Sequence, residues 1–354
     1  MESCKRVVGE EHPLTLATQL NLAITHINNR KISLALRELR KMDPRLQGFV
    51  GVQFDSTLSE KVRRQWSQSQ SIGHVPICGI HSLALAEFVP EENKAEAVGL
   101  AADILLRWQR LAGEREALIA HLARVSEDPK IRELAESLAE ARTAWSRLVN
   151  MPKPNPKAVA ITRDKVEEME VQLAGLSREF KEQQSNRTLE WRKVEAALPN
   201  GSVLLSLRAL EPIDFKTGSP GERRWLALLI PAAARDETEI ILKDLGPANT
   251  VAEQFKRFRD TDSSEDAREL YTLLFGELGG ELAKYNTLYL APDGLLDLLP
   301  FAELLLPDFR YWIQHKRLHQ IRAGRDLLRE LATGEETATT FVAFGDQGNR
   351  IISH

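Results

Sequence analysis

Residues 288–305 read LYLAPDGLLDLLPFAELL, and this stretch decides the class of fold. Leu288 to Leu290 has the apolar character of a short buried strand, and Pro292-Asp293-Gly294 stops it with three turn formers. Leu299-Pro300-Phe301-Ala302 then opens the next helix. Working outward, 203–207, 225–230, 239–242, 317–321 and 341–344 read as further short strands, with helical sequence over 248–283. TGSPGE at 217–222 closes a hairpin between the first two strands. Strands alternating with helices make an α/β layer beyond the break at Pro199-Asn200-Gly201.

The 200 residues before that break are different in kind. Apolar positions recur there at spacings of three and four, so they read as helix nearly throughout. Residues 14–42 hold two amphipathic helices joined near Asn28-Asn29, and Pro44 is expected to end the second. Leu22, Ala23, His26, Ala35, Leu39 and Met42 fall at the relative spacing of a tetratricopeptide unit. A lone unit cannot bury both its faces, so it packs on the helices that follow or belongs to a longer array. Those helices are expected around 56–71, 79–88, 94–125 and 129–149. MPKPNPK at 151–157 reads as a corner, and a long helix is expected over 160–197. In it Val166, Met169, Leu173, Leu176 and Phe180 form a heptad seam that slips afterwards. Two clean heptads favour packing within the chain over a free coiled coil. The fold class expected is therefore α+α/β, with a helical repeat at 1–48, a helical connector at 49–198 and an α/β region at 199–354.

Composition narrows the function. The 354 residues carry 47 Lys and Arg against 51 Asp and Glu, a net charge of -4, so no global field draws the chain to nucleic acid or to an anionic membrane. Cys4 and Cys78 are too few for a disulfide framework and fit a reducing, cytoplasmic setting. No signal peptide is legible, and the longest apolar run, 225–234, falls short of the ~20 residues of a membrane span.

Four clusters invite chemistry, and each has an ordinary reading beside it. Gly276, Gly279 and Gly280 follow no strand and precede no Lys-Ser/Thr, unlike a phosphate loop. His74, Cys78 and His81 could begin a zinc site or pair a thiol with a base. Pro76 and Gly79 interrupt helical spacing there, however, and a loop with buried groups is the simpler account. His315, Lys316, Arg317, His319, Arg322, Arg325 and Arg329 form a basic patch that could receive an anion, or a solvated strand edge. Asp293 and Asp297 suggest acid/base work, but Asp293 sits in a turn where it would bond the local backbone.

The segment 288–305 resembles the opening of the CHAT domain, the caspase-like domain that accompanies tetratricopeptide repeats in bacterial proteins. Tyr311-Trp312 with 318–321, Gly324-Arg325-Asp326-Leu327-Leu328 and the FVAFGD at 341–346 are similar to its next elements. LPNGSVLL from 198 and DFKTG at 214–218 are similar to the join between repeats and domain. Gln347 departs from the proline usual after Gly-Asp. The resemblance implies a caspase-like fold and, in complete members, a cysteine peptidase whose His and Cys lie beyond that Gly-Asp. Neither transfers: His354 has no matching context, and no Cys follows Cys78. The expectation is accordingly a chain truncated before the dyad, with no catalytic, metal or cofactor residues and no proteolytic activity of its own. It would act, if at all, in protein–protein interaction, with a protein or peptide partner met by the helical region and the event passed on through 160–197. The alternative is a non-enzymatic adaptor with an α/β docking platform. A third reading makes Cys78 a nucleophile with His74 or His81 as base.

Overall fold

The computed structural model describes residues 13–53, 74–109, 111–149, 151, 155–178, 180–181, 188–233, 239–261 and 263–328. The helix expected at 56–71 and the strand at 341–344 lie outside these residues, as do Cys4, Arg329, Gln347 and His354. Helix α1 (Pro13–Asn28) packs on α2 (Ile32–Gln53). Leu16, Leu20, Ala23 and Ile27 face Ala35, Leu36, Leu39 and Met42 in one apolar stripe. α2 does not stop at Pro44. Asp43, just before the proline, is fixed by Arg107 and Trp108, and the helix runs on to Gln53.

α3 (His74–Leu85) begins ahead of the expected residue 79, because Pro76 falls in its first turn, where a missing N–H costs nothing. The helix expected over 94–125 is two, α4 (Glu91–Trp108) and α5 (Leu111–Val125). Between them Gln109 leaves helical geometry at φ -59°, ψ 113°. α6 (Pro129–Val149) stands where expected. At the 151–157 corner Asn155 caps α7 (Pro156–Leu176), its Oδ1 accepting from the N–H groups of Lys157 and Ala158, with proline at the first position. The continuous helix expected over 160–197 is interrupted. Ser177 is extended and its hydroxyl accepts from the Phe180 N–H, starting a new turn, and α8 (Trp191–Ala197) is separate.

α5, α6 and α7 share a core of Ile119, Leu122, Leu138, Trp145, Val166, Leu173 and Phe180, so the heptad seam packs inside the chain, with Leu176 left exposed. Within it Arg142 donates to Glu170 at 3.0 Å, both buried. Burial raises the Glu170 carboxyl and the guanidinium opposes it.

The α/β part carries strands β1 (Ser202–Leu210), β2 (Arg224–Pro231), β3 (Ile241–Pro247), β4 (Thr287–Ala291) and β5 (Arg317–Gln320). Helices α9 (Ala248–Thr261), α10 (Ser264–Phe275) and the short α11 (Gly279–Leu282) lead into β4, and the short α12 (Trp312–His315) into β5. The order across the sheet is β3-β2-β1-β4-β5. β1 is antiparallel to β2, closing the expected hairpin, and parallel to β4; β4 is parallel to β5. The helix expected after Leu299-Pro300 is only a 3-10 turn, Phe301–Glu303, since Leu304 returns to an extended geometry.

Both faces of this mixed sheet are covered, which explains the largely apolar run VLLSL and the unbroken one WLALLI. Val203, Leu205, Leu207, Trp225, Ala227 and Leu229 meet α9 and α10 through Phe255, Leu270, Leu274 and Phe275. The opposite face, Leu204, Leu228 and Ile230, meets Leu105 and Leu106 of α4 and Val194 of α8. Leu210 and Leu226 join the core of α1 to α4. The hydrophobic cores thus run across both expected boundaries, 48 and 198. Gly324 seals the junction: a Cβ there would lie 2.6 Å from the Cδ2 atoms of both Leu106 and Leu204. Among the described residues no helix is long and apolar enough to cross a membrane.

The Arg142–Glu170 pair separates two electrostatic regimes. Arg142→Ala alone, which takes the guanidinium away from a buried carboxylate, is expected to cost about 3–5 kcal/mol in denaturant unfolding, whereas the double change Arg142→Met, Glu170→Leu costs far less.

Candidate functional site

The carboxyl ends of parallel neighbours are where an α/β sheet opens a crevice. Here those are the ends of β1 and β4. On the face of β1 that looks toward the helical layer, Ser206, Arg208 and Leu210 follow Leu204 at alternate positions. β4 ends at Ala291 and passes into Pro292-Asp293-Gly294.

The last turn of α4 is driven into this end of the sheet. Gln109, 1% exposed, donates from Nε2 to the carbonyls of Ala291 at 3.1 Å and Pro292 at 3.4 Å, while its Oε1 accepts from the Ser206 hydroxyl at 3.3 Å. Arg325, from the segment after β5, donates to the Leu106 carbonyl at 3.2 Å. One amide side chain therefore joins β1, β4 and the approach to Asp293.

Asp293 does not bond its own turn. It has no side-chain cap contact, and its Oδ2 lies 3.9 Å from Nε of Arg208. Burial works against the Arg208 charge and Asp293 supports it. Asp297 sits one turn further along, in the 3-10 segment Gly294–Leu298, where its carbonyl meets Gln320.

Below this end, α3 brings Cys78 and His81 three residues apart, both buried; the expected loop is helix. His74 begins the same helix, and its side chain lies outside the described set. Burial pushes the Cys78 thiol up to about 11, with Arg208 among the groups that oppose the shift. His81 bonds through Nδ1 to the Ile77 carbonyl at 2.7 Å, so Nδ1 carries the proton and Nε2, which has no partner among the described residues, is an acceptor. Burial, with a smaller contribution from Arg208, lowers the imidazole to about 4. A protonated thiol beside a neutral imidazole is not an activated nucleophile. Among the described residues, no three His, Cys, Asp or Glu side chains are grouped to hold a metal ion.

The basic patch is dispersed. Arg325 is buried against α4, and Lys316 caps α11 by donating to the carbonyls of Ala283 and Tyr285. His319 stacks on Tyr289 with ring centroids 5.0 Å apart. The three glycines 276, 279 and 280 lie in the helical turns after α10.

A second concavity of about 620 Å³ lies between α2, α4 and α8, lined by Arg40, Lys94, Gly99, Trp191, Arg192 and Glu239 among others. Trp191 is held there rigidly. Its backbone N–H donates to Asp103 at 2.7 Å, its indole packs over Gly99, and the Arg192 guanidinium sits 4.6 Å above its ring.

Sequence reasoning missed Arg208, Gln109 and Ser206. The first and last leave a faint mark, polar residues at alternate positions in an otherwise apolar strand. Gln109 leaves none, because only the docked sheet gives it partners.

The family model described as the CHAT domain matches residues 264–349, about a quarter of the chain. It takes in α10, β4, the Pro292-Asp293-Gly294 turn and β5, whereas β1 to β3 and the helical layer precede it. No curated protein matches the chain, and no solved structure does.

Two measurements probe this end of the sheet. His81 titrates at about 4 folded and at 6.5 unfolded, so the unfolded chain binds the extra proton in that window. Stability is full above pH 6.5 and falls as the pH drops to 4, by up to about 3 kcal/mol. His81→Leu should remove that component from the pH dependence of urea unfolding. Gln109→Leu, which strands the Ser206 hydroxyl and two carbonyls, should cost about 1–3 kcal/mol and speed amide exchange in the Gly294–Leu296 turn.

Proposed function

We propose that this chain belongs to the caspase-like lineage of the CHAT domain and works by binding rather than by cutting. In this reading the helical layer, with α1 and α2 as a tetratricopeptide-like unit, receives a protein or peptide partner, and the sheet is the platform to which that layer is docked. One observation carries it. The thiol of Cys78 is buried and protonated across the physiological range, and the imidazole on its helix, His81, is neutral, while the other cysteine of the sequence, Cys4, stands far upstream of the matched region. Thiolate chemistry of the peptidase kind has no support from these positions.

The concavity at Trp191 supports the binding half of the proposal. Its volume falls in the range of small-ligand and side-chain pockets, and it offers a fixed aromatic ring with charges of both signs around it. The adaptor alternative shares this surface and differs only in lineage. It gains support from the shared cores, which join the helical layer and the sheet into a continuous packed body.

The test uses the purified full chain. Fluorogenic peptides with basic or acidic residues should show no turnover, and a thiol-reactive peptide probe should modify Cys78 roughly 100-fold more slowly than a free cysteine at pH 8. A partner identified by crosslinking to the concavity should be lost from Trp191→Ala. Rapid labelling of Cys78, or turnover abolished by Cys78→Ala, would sink the proposal.

A further inference from the structure

Arg208 stands apart from the other basic side chains at the carboxyl end of the sheet. It lies on the apolar face of β1, opposite Leu226 and between Ser206 and Leu210. Its side chain is 17% exposed, against 35% for Asp293. The Nη1 nitrogen is buried and has no hydrogen-bond partner among the described residues. The nearest carboxylate, Asp293, approaches Nε at 3.9 Å, beyond hydrogen-bonding distance. A guanidinium N–H buried without an acceptor costs free energy.

The neighbours do not supply that acceptor. Cys78 is a protonated thiol, and His81 Nε2, although an acceptor, makes no hydrogen bond to Arg208; both groups are near enough for the Arg208 charge to act on them. Arg223, another cation, acts on Arg208 in turn. The charged side chains that act on Arg208 are thus one other guanidinium, Arg223, and one loosely engaged carboxylate, Asp293. A planar fork of N–H donors is matched by the two oxygens of a carboxylate. The place is also where sheets of this kind admit ligands, beyond the ends of adjacent parallel strands.

We propose that Arg208 anchors a carboxylate-binding site at the carboxyl ends of β1 and β4, with Asp293 as the resident competitor that a ligand carboxylate displaces. The ligand oxygens meet Nη1 and Nη2, the end-on pair of the guanidinium fork. Asp293, the more exposed partner, turns to solvent. Gln109 keeps its grip on Ala291 and Pro292, so the turn carrying Asp293 moves only at its side chain. Arg208 lies upstream of the matched family region and Asp293 inside it, and the site does not depend on the proposed partner surface at Trp191.

Thermal melting and titration calorimetry of the full chain test this, with sodium acetate against sodium chloride at constant ionic strength. A second arm uses a peptide with blocked termini carrying one glutamate, against its glutamine counterpart. Wild type should gain stability from acetate beyond that in chloride. Arg208→Met, which removes an unsatisfied buried charge, should melt at least as high without ligand and lose the acetate response. Asp293→Asn should bind acetate roughly threefold more tightly, by removing the competitor. Glutamate peptide binding about tenfold tighter than acetate assigns the site to a peptide side chain, and equal affinity assigns it to small carboxylates. If Arg208→Met responds as wild type does, or if wild type responds to neither probe, the guanidinium is completed by water alone and the proposal is overturned. Should Arg208→Met fail to fold, unchanged acetate affinity in Asp293→Asn overturns it equally.

Discussion

The last turn of α4 ends inside the molecule, and a helix terminus that is buried must find partners for its free carbonyls. Leu105 is answered by the N–H of Gln109 and Leu106 by the guanidinium of Arg325, a cation placed at the negative end of the helix. From the same turn Arg107 reaches Asp43 of α2 and the Leu189 carbonyl, Trp108 reaches the other oxygen of Asp43, and Gln109 reaches β1 and β4. Five separate pieces of chain are thereby held by four consecutive residues. The helical layer, the sheet and the turn at Asp293 share this one fixed point.

That arrangement sets the character of the crevice beside it. The α4 turn fills the space over Ser206 and Ala291 and leaves Arg208, one alternate position further along β1, at the margin of the packed layer. A charged residue in a strand buried on both faces is sustained only at such a margin, where one side of the guanidinium meets solvent and the other meets protein. The chemical quietness of Cys78 and His81 has the same origin. They lie on α3, in the core that this helix shares with Leu210 and Leu226, where desolvation keeps both neutral.

Much of this fold is written in local sequence. The strands at 203–207, 225–230 and 287–290 are apolar runs bounded by turn formers, and each emerges within a few residues of its reading. β3 is the exception, displaced toward its carboxyl end to 241–247, because Lys243 and Asp244 are held in the sheet edge by Glu277 and Arg224, partners distant in sequence. The helical breaks divide in the same way. Asn155-Pro156 is a legible start, since its cap is local. The break at Gln109 is illegible, since its neighbours WQRLA contain no breaker and Gln109 bonds carbonyls some 180 residues away. Proline misled twice, at Pro44 and Pro76, where position in the helix and tertiary anchoring outweighed its usual cost. In the candidate site the acidic turn was legible as a turn, but the direction of its carboxylate was not. Nor could alternate polar positions in β1 reveal which helix would cover them.

The mixed sheet also orders assembly in time. β1, β2 and β3 are neighbours in sequence, whereas β1 must wait for β4, pairing Val203 with Leu288. Helices α1 to α4 are synthesised before any strand, yet their core is completed by Leu210, Ile213 and Leu226. Until the β1–β2 hairpin leaves the ribosome, that helical layer carries an uncovered apolar face, the condition in which nascent chains recruit chaperones or associate with one another. The hairpin is therefore the lid of the helical core as well as the first half of the sheet. A change that slows its closure would be felt first as lost yield of soluble chain.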